Sequence, residues 1–162
     1  MTGKIFLDHK KILLVDDEPD VLEVLAELLS TCEITTAESF EKAKFLLENQ
    51  TFDITILDIM GVDGYKLLDI AKEHDVISVM LTAHALSPDH IIRSYKMGAA
   101  SYLPKDEMVN IAVFLEDILE AKEKGKSTWG RWIGRLASVW DKKFGPDWRE
   151  KEKDFWKEFP TL

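Results

Sequence analysis

The chain has a single cysteine, Cys32, among its 162 residues. No disulfide can form within it, and it holds no cysteine pair from which a zinc site could be built. Cys32 is read as a small apolar filler. Long uncharged apolar runs are missing as well: nothing approaches the roughly 18 residues that a membrane span requires, and Met1 to Lys11 lacks the apolar stretch of an export signal. A cytoplasmic protein is the expectation. Positive charge is scarce, with 21 Lys and Arg against 30 Asp and Glu, and the net charge of -9 disfavours non-specific binding to nucleic acid. Tryptophan is absent until Trp129 and then occurs five times.

What is present suffices for one domain of ordinary size with a modest remainder, since 46% of the residues are apolar. The average charge hides a division. Residues 1–125 carry 12 basic and 24 acidic side chains, whereas residues 126–162 carry 9 and 6. All five tryptophans (Trp129, Trp132, Trp140, Trp148, Trp156) lie in the second part, and the stretch "AKEKGKST" between the two reads as a linker. Two regions are therefore expected, 1–125 and 126–162.

The acidic part alternates short β-rich apolar runs with longer segments of helical spacing. The runs are Ile12–Val15, Ile54–Leu57 and Val76–Leu81, with a weaker edge-like strand at Glu33–Ala37 and a fifth at Ala100–Leu103. Helix starts are marked by Pro19, by Ser39 as a cap, and by Ser87 followed by Pro88. The last helix shows one apolar face, Met108, Ile111, Ala112, Leu115, Ile118 and Leu119. Continuous apolar strands joined by helices imply a doubly wound α/β fold, a five-stranded parallel sheet covered on both faces. Ligands of such sheets lie beyond the carboxyl ends of the strands, where the strand order reverses.

An unusual set of residues falls there. Strand one runs into Asp16, Asp17 and Glu18, strand three ends in Asp58, strand four in Thr82, and Lys105 follows strand five. Clustered carboxylates are tolerated when a hard divalent cation neutralises them, and Mg²⁺ prefers oxygen ligands. A carboxylate can act as a nucleophile toward phosphorus, and an ammonium and a hydroxyl suit the oxygens of the transferred group. An acid at a strand end is commonly just a solvated turn former, as either Asp17 or Asp58 alone would be read. It is the five-residue set that selects a site.

In order and on the expected strand ends, "ILLVDDEPD", "ILDIMGVDG", "MLTAHA" and "GAASYLPKD" give residues 10 to about 122 a resemblance to the receiver domain of two-component response regulators. The resemblance implies a flavodoxin-like sheet of order 2-1-3-4-5. It implies that Asp58 accepts a phosphoryl group from a partner histidine kinase or histidine phosphotransfer protein. Mg²⁺ would be held by Asp16, Asp17, Asp58 and the main-chain carbonyl of Met60, and the phosphoryl oxygens by Thr82 and Lys105. Tyr102 would be an aromatic switch moving with Thr82 and altering the face of helix four, strand five and helix five, through which, or through the tail, a homodimer could form. An aromatic at a strand end is otherwise commonly core. Two departures stand out. Gly61 occupies a position where the family often has proline, from which a more mobile loop is expected, and Pro104 precedes the lysine instead of following it, so no cis peptide is expected after Lys105. His84, two residues beyond Thr82, is read as a surface histidine.

The tail has its own pattern. At about 100° per residue, Trp129, Trp132, Ile133, Leu136, Val139, Trp140 and Phe144 share one arc of a helix, with Arg131, Arg135 and Lys142 on another side. Gly145-Pro146 ends it, and Asp147 with Glu150 resembles a capping arrangement for a second helix carrying Trp148, Phe155, Trp156 and Phe159. An apolar face of this size must dock. Its possible hosts are the chain's own receiver, a second copy, another protein, or a membrane surface, the last opposed by the acidic receiver. Thirty-six residues are too few for a usual helix-turn-helix domain, so no DNA-binding output is expected. The function expected is a phosphorylation-controlled module acting through protein contacts on an unknown downstream protein, and catalysing at most its own phosphorylation and dephosphorylation. The alternative is a constitutive scaffold whose receiver no longer switches. A haloacid-dehalogenase-type phosphatase would need an acid two residues after Asp58, where Met60 stands.

Overall fold

Ile12, Leu13 and Leu14 are wholly shut off from solvent. The strand that carries them, β1 (Lys11–Val15), must therefore be covered on both faces, the condition of a parallel strand between helical layers. The structure is a computed structural model describing residues 6–83 and 87–160. His84 lies outside the described residues.

Strand and helix alternate through α1 (Pro19–Leu28), β2 (Glu33–Ala37), α2 (Phe40–Asn49), β3 (Ile54–Asp58), α3 (Gly64–Glu73), β4 (Ile77–Thr82), α4 (Pro88–Lys96) and β5 (Ser101–Pro104). A 3-10 helix (Lys105–Asn110) then leads into α5 (Ile111–Glu123). The sheet is fully parallel in the order β2-β1-β3-β4-β5, so the chain reverses direction of growth between β1 and β3. The helix starts follow the local chemistry. Pro19 and Pro88 occupy first-turn positions, and Ser39 Oγ accepts the Lys42 N–H at 3.2 Å. Ser87 has extended backbone but makes no capping bond through its side chain. Met108 belongs to the 3-10 turn and not to α5: the chain leaves the sheet end tightly wound and relaxes into an α-helix only at Ile111, where the buried face begins.

Two expectations for the tail are corrected. Trp129 precedes α6 (Trp132–Phe144) instead of lying in it, because its indole N–H donates to the carbonyl of Ala99 at 2.8 Å and fixes it in a turn. Asp147 and Glu150 do not cap the next helix, α7 (Lys153–Lys157), whose N-cap is Glu152. Trp148 stands outside that helix, folded back so that its indole donates to Asp141 Oδ1 at 2.8 Å.

The tail packs on its own receiver. Leu136 and Trp140 are completely buried, and Trp129, Trp132, Trp148 and Phe159 nearly so; each such side chain contributes about 1.5–3 kcal/mol of apolar burial. Tyr95 of α4 meets the Trp129 ring edge-on at 5.4 Å, and Tyr102 of β5 lies 5.5 Å from Trp140. The basic flank is used internally, since Arg131 and Arg135 both donate to the Asp117 carboxylate of α5 and Lys143 bonds Asp106 at 2.9 Å. β5 is an edge strand, and side chains of the tail reach carbonyls in it and just before it. Thr128 Oγ1 donates to Ala100 at 3.0 Å, just before the strand, and Trp132 Nε1 to Tyr102 at 2.9 Å.

Candidate functional site

Parallel register brings the carboxyl ends of the strands together. Val15 pairs with Leu57, Asp58 with Leu81, and Thr82 with Pro104, so the next residues of each strand, Asp16, Asp58, Thr82 and Lys105, meet on one edge. Asp17, Glu18, Asp58, Met60, Gly61, Thr82, Ala83 and Lys105 line a single cleft there, with Asp16 buried beneath it. Asp16 is held by its own loop, its Oδ1 accepting the Glu18 N–H at 2.9 Å in an Asx turn. Met60, also on the rim of the cleft, is 71% exposed.

The electrostatics are those of too many acids around one cation. Lys105 Nζ lies 2.8 Å from Asp16 Oδ2, 2.7 Å from Glu18 Oε1 and 3.7 Å from Asp58 Oδ1. Lys105 is 8% exposed, and burial alone would drag its pKa down; the bonds to Asp16 and Glu18 outweigh that and raise it. Asp58, 5% exposed, is pushed up to about 6, first by burial and then by the Asp16 charge, with Lys105 opposing. Burial likewise raises Asp16 against the Lys105 and Glu18 bonds that lower it. Four carboxylates facing one ammonium leave a local excess of negative charge, and oxygen atoms of Asp16, Asp17 and Glu18 all lie within 4.8 Å of one another. Hard oxygen donors in charge excess fit Mg²⁺.

A match to the family described as the response regulator receiver domain covers residues 12–113. This chain belongs to that family. Phosphorylation on an aspartate and Mg²⁺ at an acidic pocket are general features of such receivers, which as a class are signalling modules and not enzymes acting on other substrates. The receiver is 38% identical over 101 residues to the two-component response regulator ARR18 of Arabidopsis thaliana, covering 59% of this chain and 16% of that protein. It is 39% identical over 108 residues to the heme response regulator HssR of Staphylococcus aureus strain JH9, covering 63% and 47%. The chain thus spans less than half the length of these curated relatives. Among solved structures, a CheY-like receiver domain protein from Methanospirillum hungatei matches with a TM-score of 0.65 at 25% identity, over 73% of this chain and 99% of that one. A response regulator from Burkholderia pseudomallei, solved with a phosphorylated aspartic acid and a calcium ion, shares the fold at a TM-score of 0.59 and 22% identity, over 70% of this chain and 72% of that one.

The receiver brings Asp16, Asp17, Asp58, Met60, Thr82 and Lys105 together as the sequence arranges them. Tyr102 is placed elsewhere, fully buried under Trp140 with its hydroxyl lacking a hydrogen-bond partner, and burial raises its pKa. Trp129, Trp132, Ile133, Leu136 and Trp140 cover the β5 edge between α4 and α5. Glu18 and Gly61 contact the charged groups of the cleft yet carry no role in the sequence reading. Glu18 is a partner of Lys105, signalled only by being the third acid of a run. Gly61 lies so close to Asp17 Oδ1 and Asp58 Oδ2 that a Cβ there would collide with both, and its N–H supports the Asp58 carboxylate.

Proposed function

We propose that this receiver accepts a phosphoryl group on Asp58 from a phosphohistidine of a histidine kinase or phosphotransfer protein and signals through protein contacts. The observation that carries the reading is a nearly buried carboxylate at the end of β3, facing a cleft whose other walls supply an ammonium, a hydroxyl and an acid cluster. An oxygen of Asp58 attacks phosphorus; the O–P bond forms as the N–P bond to the donor imidazole breaks, and the electron pair returns to that nitrogen. Lys105 and Thr82 hold the transferred oxygens. Asp16, Asp17, Asp58 and the carbonyl of Met60 are the residues that would hold Mg²⁺, which when bound offsets the charge of the carboxylates and the phosphoryl oxygens.

Tyr102 is the switch residue in this reading, coupled to Thr82 because their strands are hydrogen-bonded neighbours. Output by protein contact, without DNA, is supported by the net charge of -9; Arg131 and Arg135 of the tail are engaged with Asp117 of the receiver. In the described residues no helix is long and apolar enough to cross a membrane. The test is mass spectrometry after incubation with acetyl phosphate and Mg²⁺. One phosphoryl adduct on Asp58, absent from Asp58→Asn, is expected; its absence from the wild-type chain overturns the reading in favour of a non-switching scaffold.

A further inference from the structure

We propose that residues 129–159 form a latch over the β5 edge, and that loading the Asp58 pocket releases it. The proposal rests on the reading of Asp58 given above and adds a device to it: the tail relays the state of the pocket.

Contacts to the tail and to the pocket are interleaved along five residues. The Tyr102 carbonyl holds the Trp132 indole. Pro104 is the register partner of Thr82, Lys105 enters the pocket, and Asp106 bonds Lys143 of the tail at 2.9 Å. No rigid body separates the two sets, so a shift of Lys105 displaces the residues on either side of it. A shift has a stated cause. Lys105 now bonds Asp16 and Glu18 and stands 3.7 Å from Asp58 Oδ1; a phosphoryl group on Asp58 adds negative oxygens there and draws the ammonium off Glu18.

The docked state is also built to be left. Tyr102 Oη and the indole nitrogens of Trp140 and Trp156 are buried without hydrogen-bond partners, and each unmade bond of this kind leaves the desolvation of its polar group uncompensated. Release parts Trp140 from Tyr102 and opens the polar atoms of that pair to water. The apolar burial that holds the tail down is therefore partly offset, bringing docked and released forms within reach of a local electrostatic event. A joint is present: residues 122–127 are exposed, and Gly125 has φ +68° with open space around it. The charges of the two parts, acidic in the receiver and basic in the tail, favour redocking when the pocket empties.

Coupling of this kind is reciprocal. A tail weakened in its docking must raise the affinity of the pocket for its ligand by the same factor by which the ligand loosens the tail.

All five tryptophans lie in the tail, so intrinsic fluorescence and its quenching by acrylamide read docking in the full chain. Adding Mg²⁺ with beryllofluoride, a phosphoryl mimic, is expected to shift emission to longer wavelength and increase quenching, with no response in Asp58→Ala. Leu136→Asp is expected to show the released signal without ligand and to bind beryllofluoride about tenfold more tightly. Arg135→Glu, a milder change at the surface, should move both readouts the same way. Unchanged or decreased quenching in a wild-type chain that acetyl phosphate does modify on Asp58 overturns the latch and leaves the proposed function standing. Unchanged beryllofluoride affinity in both tail variants overturns the latch as well. Absence of the Asp58 adduct overturns both.

Discussion

The ammonium of Lys105 sits 2.7 Å from Glu18 and 3.7 Å from Asp58, so it is committed to the β1 loop and not to the carboxylate at the end of β3. Among the described residues it is nonetheless the positive charge set against Asp16 and Asp58, both nearly buried. Lys105→Met should destabilise the metal-free protein by about 3–5 kcal/mol at pH 7.5, the cost of leaving buried charge uncompensated. Urea denaturation in EDTA measures it. Mg²⁺ should restore part of the loss, and a variant as stable as wild type in EDTA would contradict the arrangement.

The pH dependence follows from Asp58. Its carboxyl holds a proton up to about pH 6 when folded against an ordinary value of 3.8. Folding therefore takes up a proton between those values, and stability falls as pH rises from about 4 to about 6, then stays level. Two units correspond to about 3 kcal/mol, and Asp16 is shifted in the same direction. Asp58→Asn should be more stable than wild type at pH 7.5 in EDTA and lose that advantage near pH 4. Urea midpoints at the two pH values test this; a constant difference would point to packing instead of ionisation.

Gly61 is predicted to tolerate no side chain without cost to the cation site. In Gly61→Ala the methyl group meets the carboxylates of Asp17 and Asp58 and must push them apart, with strain of about 1–3 kcal/mol. Mg²⁺ affinity measured by calorimetry should fall roughly tenfold or more, while the urea midpoint in EDTA changes less, because the displaced acids repel one another.

Trp132→Phe separates hydrogen bonding from burial at the tail. The ring area is nearly kept, but the Tyr102 carbonyl loses its donor, a loss of about 1–3 kcal/mol. Trypsin should then cleave the tail about tenfold faster or more while the receiver core stays resistant. Equal rates would show that aromatic packing alone holds the segment.

Much of this was legible because a parallel sheet writes its register into the sequence. Runs buried on both faces, such as Ile12–Val15 and Ile54–Leu57, announce themselves without periodicity, and the residue after each run must lie at the carboxyl edge. The sequence alone therefore places Asp16, Asp58, Thr82 and Lys105 on one edge. The tail was less legible. A helical arc placed Trp132, Leu136 and Trp140 on one face, which the structure buries, but Trp129 satisfied the same arithmetic while its indole answered to the carbonyl of Ala99. Trp148 likewise answers to Asp141. Neither bond has a sequence signature, since each is set by where the edge strand or the preceding helix leaves a bare acceptor. Glu18 was visible as a residue and invisible as a partner, because its bond to Lys105 spans 87 positions.

Closing the β5 edge with indoles and a hydroxyl, and not with another strand, has a consequence for assembly. A strand added to an edge offers a new edge in turn, so growth can continue; a side-chain donor ends the ladder at once. With the tail in place the Tyr102 carbonyl of β5 is already taken, while β2 forms the opposite edge of the sheet. Head-to-tail polymerisation by strand addition needs two complementary edges. A tail that already holds the Tyr102 carbonyl therefore opposes strand addition at the β5 edge.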